Sequence, residues 1–414
     1  MTFSSDDGFP GDDGSTDDGT RLRGASPDLV RRAIRDRDPF PGTAGFAGRI
    51  GDQPGSSGTG EDEPALVRDV LGREPLFVER NAAAPTTENA WSFDPTTLRD
   101  PKSVDAGTLV TSSGPRTVWS LPTPDPVDPE AGQRAVDDAL RAVLSELGAE
   151  TSDDGDPSGR LAVAFSGGVD SGVVAAAVPE APCYVAGFEG CHDVAAAREA
   201  AAAMGRDLRI VELTHDDLTR AIPEIVAATG RRNAMDLNIA VPLYLTAEAA
   251  AADGFDRLAV GQGADELFGG YSKVVDPAND HRVDAETVRD ARDETVRTLP
   301  DQLERDVVTL RAAGVEPVAP LLDDRLVEAA IRLPDELLAT PAERKIALRR
   351  AAAAYVPDPV GSAEKKAVQY GTYVAREIDR LARQNGFKRR MDGHVALYIE
   401  SLLDGSTDLQ KNGP

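Results

Sequence analysis

The sequence predicts an α/β protein: a doubly wound parallel sheet, preceded by a small β-rich amino-terminal region and followed by a helical carboxy-terminal part. Three observations predict it. Between residues 161 and 260, short apolar runs of strand type alternate with helical patterns, the signature of parallel strands joined by crossover helices. Those runs are apolar almost throughout, as strands covered on both faces must be. Two of them lead directly into glycine-rich loops bearing hydroxyls and carboxylates, Ser166-Gly-Gly-Val-Asp-Ser171 and Gly261-Gln-Gly-Ala-Asp-Glu266.

In chain order, residues 1–40 are rich in Asp, Gly and Ser and read as a disordered acidic tail, because so few apolar groups cannot offset the entropy of ordering. The helical pattern Pro27–Ile34 is the exception. Gly51–Glu63 is a polar loop. From Pro64 to Val110, the pieces Val67–Val78, Ala90–Phe93 and Ser103–Val110 are short strands separated by turns, within a β-rich region spanning 41–125. Pro122–Pro129, with four prolines, is a linker into a domain spanning 126–405, and 406–414 form a tail. Ala135, Leu140, Val143, Leu144 and Leu147 fall on one face of a helix. Strands then follow at Leu161–Phe165, Cys183–Phe188, Leu208–Leu213 and Arg257–Val260. Helices lie between them, the one at Asp193–Met204 opened by an Asp cap. From Asp284 onward the chain reads as helical, broken at its prolines.

The loop Ser166–Ser171 carries the first chemistry. A strand passing through a small-residue turn into a helix leaves unpaired N–H groups at the helix N-terminus, which with the helix dipole suit a phosphate. Gly167 and Gly168 permit close approach of phosphate oxygens, Val169 completes the loop before a helix that begins near Ser171, Ser166 and Ser171 add hydroxyls, and Asp170 is a hard oxygen ligand for Mg²⁺. The loop at Gly261–Glu266 adds Gln262 and Gly263 beside a second such ligand, Asp265.

With both loops quoted, and Leu258-Ala-Val-Gly-Gln-Gly-Ala-Asp-Glu-Leu-Phe-Gly-Gly-Tyr271 in full, residues 136–373 resemble the synthetase domain of the asparagine synthetase family, which also includes the β-lactam synthetases. The fold implied is that of the ATP pyrophosphatases, or adenine-nucleotide α-hydrolases. Three further blocks carry the resemblance: Ala319–Asp324, Arg344–Arg350, and Lys365–Gly371. It implies ATP and Mg²⁺ as cofactors, with the metal on Asp170 and Asp265. It also implies an adenine slot at Val185, Ala186, Gly187, Phe188 and Gly261, and a catalytic lysine at Lys365, with Lys366 the alternative register. The implied reaction is adenylation of a carboxylate with release of pyrophosphate, then acyl transfer to ammonia, aspartate to asparagine. Another acid–amine pair, as in the β-lactam synthetases, is the alternative. An ATP pyrophosphatase modifying tRNA would bring an RNA-binding module or thiol-carrier cysteines, which are not evident; a non-catalytic nucleotide-binding regulator would have lost loop residues.

The chain departs from the family in three places. Asparagine-forming members carry a glutamate where this chain has Gln262, and an arginine near a helix entry where it has Asn238. The strand-like pieces between Pro64 and Val110, within the region 41–125, resemble in order and spacing the later half of the family's glutaminase domain. The cysteine that domain needs after the initiator methionine is replaced by Thr2, and the glutamine-pocket motifs are absent. The expectation is a degenerate, structural region without glutaminase activity, and a homodimer or a separate ammonia-donating glutaminase as partner.

Composition bounds the rest. The net charge is −26, from 71 acidic against 45 basic residues, and only seven of the bases are lysine. Acid excess with scarce lysine fits an extreme halophile, where molar salt shortens electrostatic reach to about 3 Å; nucleic acid is not an expected partner. Cys183 and Cys191 match no disulfide framework or metal motif, and Cys183 reads as core. His192, His215, His281 and His394 share no ligand spacing, and Lys345 reads either as a phosphate contact or as an exposed helical lysine. No apolar run is long enough to span a bilayer, so the protein is expected to be soluble and cytoplasmic.

Overall fold

A computed structural model describes residues 19–51, 63–150, 160–363 and 370–405. Lys365, Lys366, the first eighteen residues, most of the Gly51–Glu63 loop and the 406–414 tail lie outside the described residues. The chain divides into two compact units, Met1–Leu121 and Pro122–Pro414.

The first unit is antiparallel. Its elements are β1 (Arg21–Arg23), α1 (Pro27–Asp36), β2 (Ala47–Ile50), β3 (Ala65–Arg68), β4 (Phe77–Glu79), β5 (Trp91–Ser92), β6 (Pro101–Ser103), β7 (Thr108–Thr111) and β8 (Gly114–Thr117). They form a five-stranded sheet, β1-β2-β3-β7-β8, and a three-stranded one, β5-β4-β6. Order begins earlier than composition suggests: Arg21 pairs with Arg49 and Arg23 with Ala47 across β1 and β2, inside the stretch read as a tail. Leu66, Leu76, Trp91, Phe93 and Val110 make a shared apolar core. Buried beside them, Arg73 Nε donates to Asp69 Oδ1 at 2.9 Å, and Arg68 donates to the carbonyls of Val104 and Gly72. These charges are accommodated because each has a partner.

The second unit holds the parallel sheet. It begins with α2 (Pro129–Glu150), then β9 (Leu161–Ala164), α3 (Val169–Ala177), β10 (Cys183–Gly187), α4 (His192–Met204), β11 (Leu208–Glu212), α5 (His215–Thr229), α6 (Ala234–Ala252) and β12 (Arg257–Ala259). Short helices α7 (Ala264–Leu267) and α8 (Ser272–Val275) lead to α9 (Val288–Val296), α10 (Leu299–Ala312) and β13 (Glu316–Val318). The rest is helical: α11 (Asp324–Ile331), α12 (Asp335–Leu338), α13 (Ile346–Ala352), α14 (Asp358–Gly361), α15 (Tyr370–Gln384) and α16 (His394–Leu403). Strand order is β11-β10-β9-β12-β13 with every pairing parallel. The order therefore reverses between β9 and β12, and crevices at such a switch point receive ligands in doubly wound sheets.

Three local readings are corrected. Glu316–Val318 is a fifth strand, in a part read as almost wholly helical; three residues with Pro317 give no period, and proline is tolerated because β13 is an edge. In α2 the buried face runs through Val136, Leu140, Val143, Leu144 and Leu147, while Ala135 is exposed, one position off the stripe. Helix α4 is preceded by Cys191, and Asp193 sits inside its first turn, where a carboxylate suits the dipole. By contrast α5 starts on a complete capping box between Thr214 and Asp217, and α6 on Asn233. Cys183 is fully buried in β10, and burial pushes its thiol pKa up. Among the described residues no helix is long and apolar enough to cross a membrane.

Candidate active site

The two glycine-rich loops leave adjacent strands side by side. Leu161 pairs with Arg257 and Val163 with Ala259, so both chains emerge at the same sheet edge. In the first loop Gly167 takes a left-handed φ of 79°, which only glycine adopts at no steric cost. Ser171 Oγ accepts from the Ser166 amide at 3.1 Å and donates to the Gly168 carbonyl at 3.3 Å. The loop is closed on itself, and the first amides of α3, from Val169 on, are left for a ligand.

Asp170 and Asp265, one from each loop, converge on a single ammonium. Lys345 Nζ lies 2.6 Å from Asp170 Oδ2 and 2.5 Å from Asp265 Oδ1. Lys345 is neither exposed nor within a helix. It is 5% exposed, immediately precedes α13, and has a left-handed φ of 57°, a backbone state that a non-glycine residue keeps only where surrounding contacts hold it. Its neighbour Arg344 donates to the Gly270 carbonyl at 2.7 Å. Gly270 could bear no side chain, since a Cβ there would lie 2.0 Å from Asp265 Oδ1 and 2.3 Å from Lys345 Cε.

A cavity of about 300 Å³ opens above this pair, over the switch point. Ser166, Asp170 and Ser171 line it from the first loop, and Gly261, Gln262, Gly263, Asp265 and Glu266 from the second. Helices α6 and α10 complete it with Ile239, Pro242, Leu243 and Thr246 and with Leu299, Leu303, Arg305 and Asp306. Tyr184 also lines it, its hydroxyl donating to Asp253 Oδ2 at 2.5 Å; burial pushes its pKa up to about 12. Gly167, Gly168 and Val169 form the loop without lining the cavity. Val185, Ala186, Gly187 and Phe188 also lie outside its lining: the first three are buried in β10, and Phe188 packs against the core that includes α6.

Gln262 faces a residue that sequence reasoning missed. Its Nε2 donates to Asp306 Oδ2 at 2.6 Å, and Arg305 Nε donates to Asp306 Oδ1 at 2.7 Å. Arg305 reaches on to Asp236 Oδ1 at 3.0 Å. Burial holds the Asp306 carboxyl above the ordinary carboxylate range, opposed by Arg305. Glu266 is raised too, by burial and by the charge of Asp265, although the Tyr271 hydroxyl donates to it at 2.5 Å. A signal for Asp306 existed: it lies three residues after Leu303 and four before Leu310, on the buried stripe of α10.

The donor set suits Mg²⁺, a cation that takes one or two protein carboxylates and leaves its other positions to phosphates and water. Asp170 Oδ1 is buried with no hydrogen-bond partner, which an added cation would relieve. Among the described residues no group of three or more His, Cys, Asp or Glu forms a metal centre made of protein alone. The asparagine synthase family model matches residues 157–295 and 275–404, well over half the chain and including both loops and Lys345. This chain belongs to the asparagine synthase family.

Similarity to individual members is modest. The chain is 27% identical over 266 residues to a protein of Methanocaldococcus jannaschii named as a candidate glutamine-hydrolyzing asparagine synthetase, covering 56% of this chain and 49% of the relative. With the glutamine-hydrolyzing asparagine synthetase B of Escherichia coli it shares 25% over 228 residues, 49% of this chain and 40% of that one. The glutamine-hydrolyzing asparagine synthetase of Brassica oleracea is 27% identical over 247 residues, covering 55% and 39% respectively. The chain thus matches half or less of the length of these curated relatives.

Proposed function

We propose that this member of the asparagine synthase family is an ATP-dependent amide-forming ligase. It activates a carboxylate as the acyl-adenylate and hands the acyl group to an amine. The relatives' names, glutamine-hydrolyzing asparagine synthetases, point to aspartate as the acid, and we take ammonia as the amine; Gln262 and Asn238 favour, as a second reading, another acid–amine pair. The observation carrying the proposal is that both loops line one cavity over the switch point, while their carboxylates Asp170 and Asp265 share the Lys345 ammonium beneath it.

The substrate's carboxylate oxygen attacks the α-phosphate of ATP, and pyrophosphate leaves. Charge moving onto it meets the first amides of α3, the hydroxyls of Ser166 and Ser171, and the Lys345 ammonium. Asp170 and Asp265 would hold Mg²⁺, which when bound neutralises phosphate oxygens. The amine then attacks the acyl carbon: the C–N bond forms, the C–O bond to phosphate breaks, and AMP departs with the electron pair. Asp306 is the carboxylate placed to take the nitrogen's proton, and Gln262 holds it in place. Lys365, with Lys366 as the alternative, is the residue we assign to the acyl oxyanion and the departing AMP.

Exchange of labelled pyrophosphate into ATP, dependent on added acid and measured in molar salt, tests the first half-reaction. Asp170→Asn is expected to abolish it, and Lys365→Ala to leave it while slowing amide formation. A chain releasing no AMP with any acid would sink the ligase reading.

A further inference from the structure

The wall of the cavity formed by α6 and α10 is aliphatic: Ile239, Pro242 and Leu243 face it from one helix, Leu299 and Leu303 from the other. Ile239 is 40% exposed, an uncovered large apolar side chain at the place where a substrate would lie. Burying such surface against an aliphatic ligand is favourable, whereas burying a carboxylate against it is not.

The charges point the same way. Four carboxylates line the cavity, Asp170, Asp265, Glu266 and Asp306, and Arg305 is the cation among its described lining residues. Arg305 is held by Asp306 and by Asp236, and Lys345, beneath the cavity, by Asp170 and Asp265. A second carboxylate on the substrate would find both cations already facing two anions each. At the start of α6, one residue before Ile239, stands Asn238. It is a neutral amide, so this position brings no cation to α6 beside Ile239.

We propose that the acid activated here is a monocarboxylate with an aliphatic body, and not a dicarboxylic amino acid such as aspartate. The inference rests on the ligase reading above and chooses between its two forms. The reacting carboxylate lies toward Ser166 and Ser171, the aliphatic body against α6 and α10.

The full chain is assayed for acid-dependent exchange of pyrophosphate into ATP, with isobutyrate, isovalerate and aspartate as the acids, in molar salt with Mg²⁺. Exchange with the branched monocarboxylates is expected to exceed that with aspartate by at least about tenfold in kcat/KM, the scale of discrimination an apolar pocket gives. Ile239→Asp is expected to lower the monocarboxylate values, and Asn238→Arg to shift the ratio toward aspartate. Aspartate equal to or better than the monocarboxylates in the unaltered chain overturns the inference and leaves the ligase reading standing. No exchange with any of the three acids, in a chain that binds ATP, overturns the inference; the ligase reading falls only if a wider panel of acids also gives no exchange and no AMP.

Discussion

Gln262 Nε2 donates to the buried carboxylate of Asp306 at 2.6 Å, joining a loop residue to a helix residue 44 positions later. An amide can make this contact and a carboxylate cannot, because Asp306 when ionised only accepts. The neutral residue at 262 is therefore matched to the anion behind it.

Gln262→Glu is accordingly expected to impair the native reaction. Two carboxylates would stand a hydrogen bond apart, and one of them would have to hold a proton. A loss of about 1–3 kcal/mol in stability is expected from the broken buried contact. The double change Gln262→Glu with Asp306→Asn reverses donor and acceptor and should recover most of that stability. Denaturant unfolding of the three proteins measures it; a fully stable single Gln262→Glu protein would contradict the matched pair.

Lys345→Met removes the ammonium that Asp170 and Asp265 share. Breaking a buried ion pair from one side costs about 3–5 kcal/mol, because the remaining charges are left without a partner. If these carboxylates form a cation site, Mg²⁺ should raise the thermal midpoint of Lys345→Met more than that of the unaltered protein. Equal shifts would argue against the carboxylate pair as the metal site.

The pH dependence follows from Asp306. Burial raises its folded pKa above the ordinary value of about 3.9, against Arg305 and Arg231 and with the help of Asp236. Its stabilising contribution is present below about 3.9 and is lost as pH rises through the raised value. As a base it works only when ionised, so amide formation should climb over the same interval in which that stability falls. Asp306→Asn should remove the climbing limb and slow amide formation on the order of a hundredfold or more, while pyrophosphate exchange survives. A variant keeping the wild-type pH profile would leave Asp306 a purely structural role.

The sequence alone determined the parallel α/β domain and both of its loops. Strand, turn and helix start are decided within a few residues: apolar runs such as Leu161–Phe165 bury themselves on both faces, and Gly167 admits a backbone angle that a side chain resists. Because the loops follow strands, parallel pairing puts them at one edge, and their convergence could be argued before any coordinates. The tertiary structure decided what meets them. Lys345 reaches Asp170 across 175 positions, through a backbone angle that no propensity suggests. Asp306 stands behind Gln262 only because α10 presents that face of its turn to the cavity. Periodicity can mark a residue as buried, but which charge it will meet depends on how separate elements pack. That is why β13 and the α6–α10 wall, with the acid selectivity argued from it, became visible only in the folded chain.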